Sequence, residues 1–251
     1  MDLGLHGKNA IVTGGSKGIG RCAALLLAAE GANVAICARG AEALEQTRRE
    51  LAACGVTAFA ATCDVGDAQA LARFMQAAHD ALGGADILIN NPSGFGMTDD
   101  EAGWKVSVDV DLMATVRATQ QVVPWMSAAG GGSIVHISSI SGLEPGSPPA
   151  YGAVKAALVN HAKTMAQALA PKNIRVNCVA PGSIYFEGGF WATVKQHNRP
   201  MFDGVVAGIP FGRMGKPEEV ADAIVYLASR RANWISGVTL VVDGVQHKGI
   251  F

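Results

Sequence analysis

The chain is expected to fold as a single doubly wound α/β domain around a parallel seven-stranded sheet, and three observations predict this. Short apolar runs alternate with segments of helical period from end to end, the order that builds βαβ units with right-handed crossovers. Hydrophobic residues make up 49% of the 251 positions and charged residues only 16%, which suits strands buried on both faces. The first apolar run passes through Thr13-Gly14-Gly15-Ser16-Lys17-Gly18-Ile19-Gly20 into an apolar segment, the strand, turn, helix order of a nucleotide-binding sheet.

Taken in order, the strands are expected at residues 9–13, 33–38, 56–62, 86–90, 133–138, 174–179 and 238–242, each a short run rich in Val, Ile or Ala. Helical periodicity is clear between them. Leu71, Phe74, Met75, Ala78 and Leu82 repeat at helical spacing after Asp67, a residue suited to capping. Val220, Ile224 and Leu227 follow Pro217-Glu218-Glu219, a Pro-then-acid helix start. No linker divides residues 1–251. One segment breaks the rhythm. Residues 183–210, between the sixth and seventh strands, carry Gly188, Gly189 and Gly204 yet are rich in aromatics: Tyr185, Phe186, Phe190, Trp191 and Phe202. This stretch reads as an aromatic loop and a substrate lid, with packing in the core or at a subunit interface as the other possibility.

Net charge is −1, so no basic field exists to attract nucleic acid or an anionic membrane. The five cysteines are scattered and show neither C-x-x-C nor metal spacing, which points to reduced structural thiols and no metal. No basic region followed by a long apolar stretch opens the chain, and a cytoplasmic location is the expectation.

The glycine turn carries the first chemistry. Gly14, Gly18 and Gly20 let backbone approach a phosphate, while Ser16 to Ile19 open a helix whose N-terminus presents N–H donors. The second strand then ends in Arg39, where an NAD enzyme would present an acid to the adenosine ribose. Arg39 and Lys17 supply two cations for a 2′-phosphate, so NADP(H) is the expected cofactor.

Tyr151 and Lys155 stand four residues apart and share a helix face. A free phenol titrates near about 10, and a cation beside it stabilises the phenolate. The pair therefore reads as a proton donor with its tuning group.

Together these features resemble the short-chain dehydrogenase/reductase family over residues 5–244, and in particular its 3-oxoacyl-acyl-carrier-protein reductase-like members. The match includes Cys63-Asp64-Val65, Asn90-Asn91, Ile137-Ser138-Ser139-Ile140-Ser141-Gly142, Ile174-Arg175-Val176-Asn177, Pro181-Gly182 and Val242-Asp243-Gly244. The resemblance implies that Asp64 and Val65 meet the adenine and Asn90 the ribose region, with Pro181, Gly182 and Ile184 at the nicotinamide end. It implies that Lys155 holds the nicotinamide ribose as well as tuning Tyr151. Hydride would pass between the nicotinamide and a ketone or secondary alcohol while Tyr151 gives or takes the proton. Two serines compete to hold the substrate oxygen: the usual distance to the tyrosine selects Ser138, the Ser-x-x-Gly match selects Ser139. Ser139 is preferred, leaving Ser138 bonded to backbone.

Three departures from the family pattern stand out. Asp111 occupies the place of the asparagine of the catalytic tetrad, where its carboxylate would favour the Lys155 ammonium or be a tolerated change. Pro92-Ser93-Gly94 replaces a small Ala-Gly pair, and Tyr185-Phe186 follows Ile184 where a threonine is common. The family further implies a homotetramer or dimer, with Leu158, Val159, Ala162, Met165 and Leu169 of the Tyr151 helix buried against a symmetry mate. The competing functional reading keeps NADP(H) binding but little turnover, as a regulatory or sensor protein.

Overall fold

The computed structural model describes residues 2–250. Its strands are β1 (Asn9–Thr13), β2 (Asn33–Ala38), β3 (Ala58–Thr62), β4 (Ile87–Asn90), β5 (Gly132–Ile137), β6 (Ile174–Pro181) and β7 (Thr239–Val242). They form one all-parallel sheet in the order β3-β2-β1-β4-β5-β6-β7. The helices are α1 (Gly18–Ala29), α2 (Ala41–Ala53), α3 (Ala68–Leu82), α4 (Glu101–Val106), α5 (Ala114–Ala128), α6 (Pro149–Leu169), α7 (Phe190–His197), α8 (Arg199–Ala207) and α9 (Pro217–Ala228).

Strand alternation divides the core. In β1, Ala10 and Val12 face one layer with Leu27 of α1, Leu51 of α2 and Ile224 of α9. Ile11 faces the other, with Phe74 of α3, Val122 of α5 and Ala162 of α6. Both faces are covered, as the apolar strands require. The strand order reverses between β1 and β4, so a crevice opens at their carboxyl ends.

The local signals act as expected at α3. Asp67 accepts hydrogen bonds from the Gln69 and Ala70 N–H groups, and these bonds hold its carboxyl below the usual range. Gly83 ends the helix in the left-handed conformation (φ 76°).

Six strand boundaries move. β6 runs on to Pro181 because Ala180 and Pro181 sit opposite Val241 and Val242 of the edge strand β7. β3 begins at Ala58, β4 at Ile87 and β7 at Thr239, and β5 lies one residue earlier than expected, at Gly132–Ile137. The larger correction concerns residues 183–210, which are mostly helical, not loop. Asn198 closes α7 and caps α8 through its side chain, which accepts from the Met201 N–H, and Pro200 fits the first turn.

The face of α6 expected at a subunit contact is corrected too. Leu158, Ala162 and Leu169 are buried against the chain's own sheet, because this is the stripe that covers β6. Ala153, Ala156, Asn160 and Lys163 face outward instead. Between α4 and α5 the chain makes a π-helical stretch, Ser107–Met113. Among the described residues no helix is long and apolar enough to cross a membrane.

Candidate active site

The glycine turn is built for close approach. Gly14 and Gly18 have φ of 69° and 52°, open to glycine at little cost. A Cβ at Gly20 would collide with the Gly14 carbonyl oxygen and the Asn91 amide. Lys17 begins α1 without a side-chain cap, and no acidic residue occupies its first turn, so the positive end of the helix is left for an external anion. A cavity of about 560 Å³ opens beside the turn, lined in part by Ser16, Lys17, Arg21, Thr47 and Phe186. Half-buried Ile19 packs against the α1–α9 core layer. The exposed side chains of Lys17 and Arg39 have no partner among the described residues. An uncapped helix end beside a glycine turn with no room for a Cβ fits the phosphates of a dinucleotide.

Other sequence-predicted positions border the same crevice. Asp64 is exposed after β3 and its carboxylate accepts from the Gly66 N–H, with Val65 half-buried beside it. Asn90 behaves differently. Its amide nitrogen points inward to Thr119 (3.3 Å) and His136 (3.2 Å), which leaves its backbone as the part at the strand end. Asn91, passed over as a site residue in the sequence, joins the two ends: its amide donates to the Gly14 carbonyl at 3.1 Å and its N–H to Thr13 Oγ1 at 3.2 Å. The doubled asparagine was the signal for it. Gly182 donates to the Val242 carbonyl, and buried Ile184 bridges Gly215. Pro181 to Ile184 are thereby fixed before the chain turns into Phe186, whose ring lies on Gly18.

Tyr151 and Lys155 lie in the first two turns of α6, with the Lys155 Nζ 5.5 Å from the Tyr151 ring centroid. That ammonium is 2% exposed. It donates to the Ile137 carbonyl (3.2 Å) and pairs with Asp111 Oδ1 at 3.0 Å, a carboxylate with no exposure at all. Burial alone would push the ammonium down. The charge of Asp111, with Tyr151 and Cys178 adding, outweighs burial and holds Lys155 above its ordinary value.

The two serines separate cleanly. Ser138 is buried and its hydroxyl donates to the Lys155 carbonyl at 2.7 Å, so it is spent on backbone. Ser139 is half-buried and begins a short 3-10 turn, its oxygen accepting from the Ser141 N–H at 3.1 Å with its own proton free to donate. Beneath them Cys178 is pushed up to about 12, chiefly by burial, and is inert as a nucleophile.

Asp111 has a second partner, the Gly94 N–H, which donates to Oδ2 at 2.9 Å. Next to it stands a residue the sequence reading missed. Phe95 has φ 50° and is 45% exposed. Its ring stacks on Tyr151 (5.6 Å, 8° between planes) and on Phe190 (5.7 Å, 11°), with Trp191 edge-on beyond. Nothing in the spacing of Phe95 marks it.

A parallel doubly wound sheet with a glycine turn at its switch point and a Tyr-x-x-x-Lys helix beside it defines a nucleotide-binding α/β domain. The family model described as enoyl-(acyl carrier protein) reductase matches residues 14–245. The chain is 37% identical over 249 residues to dehydrogenase/reductase SDR family member 4 of Oryctolagus cuniculus, covering 96% of this chain and 94% of that one. Its fold is similar to L-sorbose reductase from Gluconobacter frateurii, solved with NADPH and L-sorbose (TM-score 0.92, 34% identity, all of both chains). It is also similar to a 7α-hydroxysteroid dehydrogenase solved with NADH and 7-oxo glycochenodeoxycholic acid (TM-score 0.90, 33% identity, 97% and 96% covered). The chain belongs to the short-chain dehydrogenase/reductase family.

Proposed function

We propose that the protein is an NADP(H)-dependent oxidoreductase acting on a ketone or the corresponding secondary alcohol, with Tyr151 as proton donor and acceptor. The observation that carries this reading is the buried Lys155 ammonium fixed under the Tyr151 ring. A cation held there stabilises a phenolate, and it does so strongly because water is excluded. Bound NADP(H) supplies or accepts the hydride. The chain's own residues do the rest. Gly14 to Gly20 and the α1 N-terminus bind the pyrophosphate, while Lys17 and Arg39 take the additional phosphate. Asp64 and Val65 border the adenine, the Asn90 backbone the ribose region, and Pro181, Gly182 and Ile184 the nicotinamide end. Lys155 holds the ribose hydroxyls. Ser139 and Tyr151 donate hydrogen bonds to the substrate oxygen, and Tyr151 passes it a proton during reduction.

Preference for NADP(H) rests on the two free cations and on the missing acid after β2, since solved relatives include one with NADPH and one with NADH. Residues 183–210 serve as lid: α7 brings Phe190 to the Tyr151 side, and protection from limited proteolysis by NADPH with a ketone is its test. Exposed Leu240 on the edge strand β7, with Val238 and Trp234 nearby in the chain, supports assembly into a homotetramer or dimer, which light scattering checks. The deciding experiment is an NADPH-oxidation screen over aryl ketones, cyclic ketones, α-diketones and β-ketoacyl thioesters. Reduction of at least one class is expected. Tight NADPH binding with no turnover of any class would favour a sensor protein, the reading to which the neutralising charge of Asp111 lends support.

A further inference from the structure

We propose that Phe95 is a specificity-determining residue, held in place by Asp111, that fits the site to flat conjugated ketones and their secondary alcohols in preference to flexible acyl chains. This rests on the oxidoreductase reading above and names its substrate class.

Three rings stand in a row with nearly parallel planes: Tyr151, Phe95 and Phe190, with Trp191 closing the far end edge-on. Such a row presents an apolar wall beside the phenol that handles the proton. A planar ligand covers that wall with its whole face. A rigid one also loses less rotational freedom on binding than an acyl chain does. Phe95 remains 45% exposed, so part of its surface is free to be covered by a ligand.

The ring is presented by a fixed backbone. A phenylalanine with φ 50° is unusual and persists only where its surroundings impose it. Here both flanks are pinned. On one side the Gly94 N–H is bound to Asp111 Oδ2. On the other the Gly96 backbone lies so close to the Gly103 carbonyl and the Ser107 hydroxyl that no Cβ would fit. Asp111 turns its second oxygen to Lys155, so one buried carboxylate ties the wall to the proton-transfer pair. An asparagine would serve only one of the two, because its amide N–H₂ would face either the ammonium or the Gly94 N–H. The Asp111 and Pro92-Ser93-Gly94 departures are thereby a matched set.

The test compares a flat probe, 2-acetylnaphthalene, with a flexible one, S-acetoacetyl-N-acetylcysteamine, in the NADPH-loaded protein. The unaltered enzyme should favour the flat ketone in kcat/KM. Phe95→Ala should lower the flat-to-flexible ratio at least tenfold, mainly through KM, and Phe95→Tyr should restore most of it. Asp111→Asn, a positioning change, should lower the same ratio. It should also change the pH profile of alcohol oxidation, because burial then acts on Lys155 with only Tyr151 and Cys178 left to oppose it. The Phe95 variants should leave that profile in place. Equilibrium binding of 2-acetylnaphthalene to the NADP⁺-loaded protein gives the same comparison without turnover. A ratio that Phe95→Ala changes by less than twofold, or a flat ketone that fails to bind at millimolar concentration, overturns the proposal. Phe95-dependent binding of 2-acetylnaphthalene with no NADPH oxidation by any class of the screen would overturn the oxidoreductase reading, and with it the turnover preference, while the ring wall would stand as a binding site for flat ligands.

Discussion

The crevice at the carboxyl ends of the strands has two sides built from different material. On the β1–β2 side the surface is backbone: a glycine turn, an uncapped helix end and two unpaired cations at the rim. Toward β4 to β6 it is side chain, with a buried Lys155–Asp111 pair, a serine on a short turn and a row of stacked rings. The glycine side is shaped by what is left out, since a Cβ at Gly14, Gly18 or Gly20 would collide with the chain's own atoms. The reacting side works by what converges there from α4 to α7 and the loop after β4.

The largest effect expected on this comparison comes from removing the phenolic oxygen. Tyr151→Phe should lower kcat by about 10²–10⁴ while NADPH affinity, followed by fluorescence, stays within about twofold. Lys155→Ala should reduce both turnover and affinity, and it should lower the melting temperature because Asp111 is left as a buried unpaired charge. If the Tyr151 variant loses cofactor binding equally, the two sides are not separable.

Next comes the choice between the serines. Ser139→Ala should cost about 10²–10³ in kcat as the loss of one donor to the developing oxyanion. Ser138→Ala should act mainly on stability, by about 1 kcal/mol through its bond to the Lys155 carbonyl. A larger kinetic loss at Ser138 would transfer the substrate role to it.

On the phosphate side, Arg39→Asp should weaken NADPH binding by about tenfold or more and bring NADH to at least parity. Equal affinities for the two cofactors in the unaltered protein would remove the basis for assigning a 2′-phosphate there.

A further effect, on stability and not on turnover, lies where the two sides meet. His136 is wholly buried on β5, bonded to Asn90 and to His161, and is pushed down to about 3 by burial and then by the His161 charge. The unfolded chain takes up a proton near about 6.5 that the folded chain refuses. Stability is therefore lost as the pH falls below about 6.5, by about 2 kcal/mol between pH 7 and 5. His136→Gln should flatten that dependence in denaturant titrations at the two pH values; an unchanged slope would place the acid sensitivity elsewhere.

Much of this was legible in the chain itself. Seven strands, their parallel order and the glycine turn follow from local patterns, because burial on both faces demands continuous apolar runs and a phosphate demands glycine at fixed positions. Tyr151 and Lys155 were legible because helical spacing alone puts them on one face. Asp111 could be located as a departure and, through the family resemblance, set near Lys155, but its bond to Gly94 could not be foreseen. Its two partners, Gly94 and Lys155, come from different elements, and only packing brings them within 3.0 Å of one carboxylate. The same holds for Phe95, whose left-handed backbone is imposed by contacts from α4 and the π-helical stretch. For residues 183–210 aromatic composition outweighed a weak helical signal, and the α7–α8 boundary rests on one asparagine cap before a proline. The sequence by itself determined the sheet, the glycine turn and the placing of Tyr151 and Lys155 on one helix face, since each depends on neighbours a few residues away. The tertiary structure alone decided the second bond of the Asp111 carboxylate, to Gly94, and which ring covers Tyr151, since those depend on groups that meet only when distant segments pack.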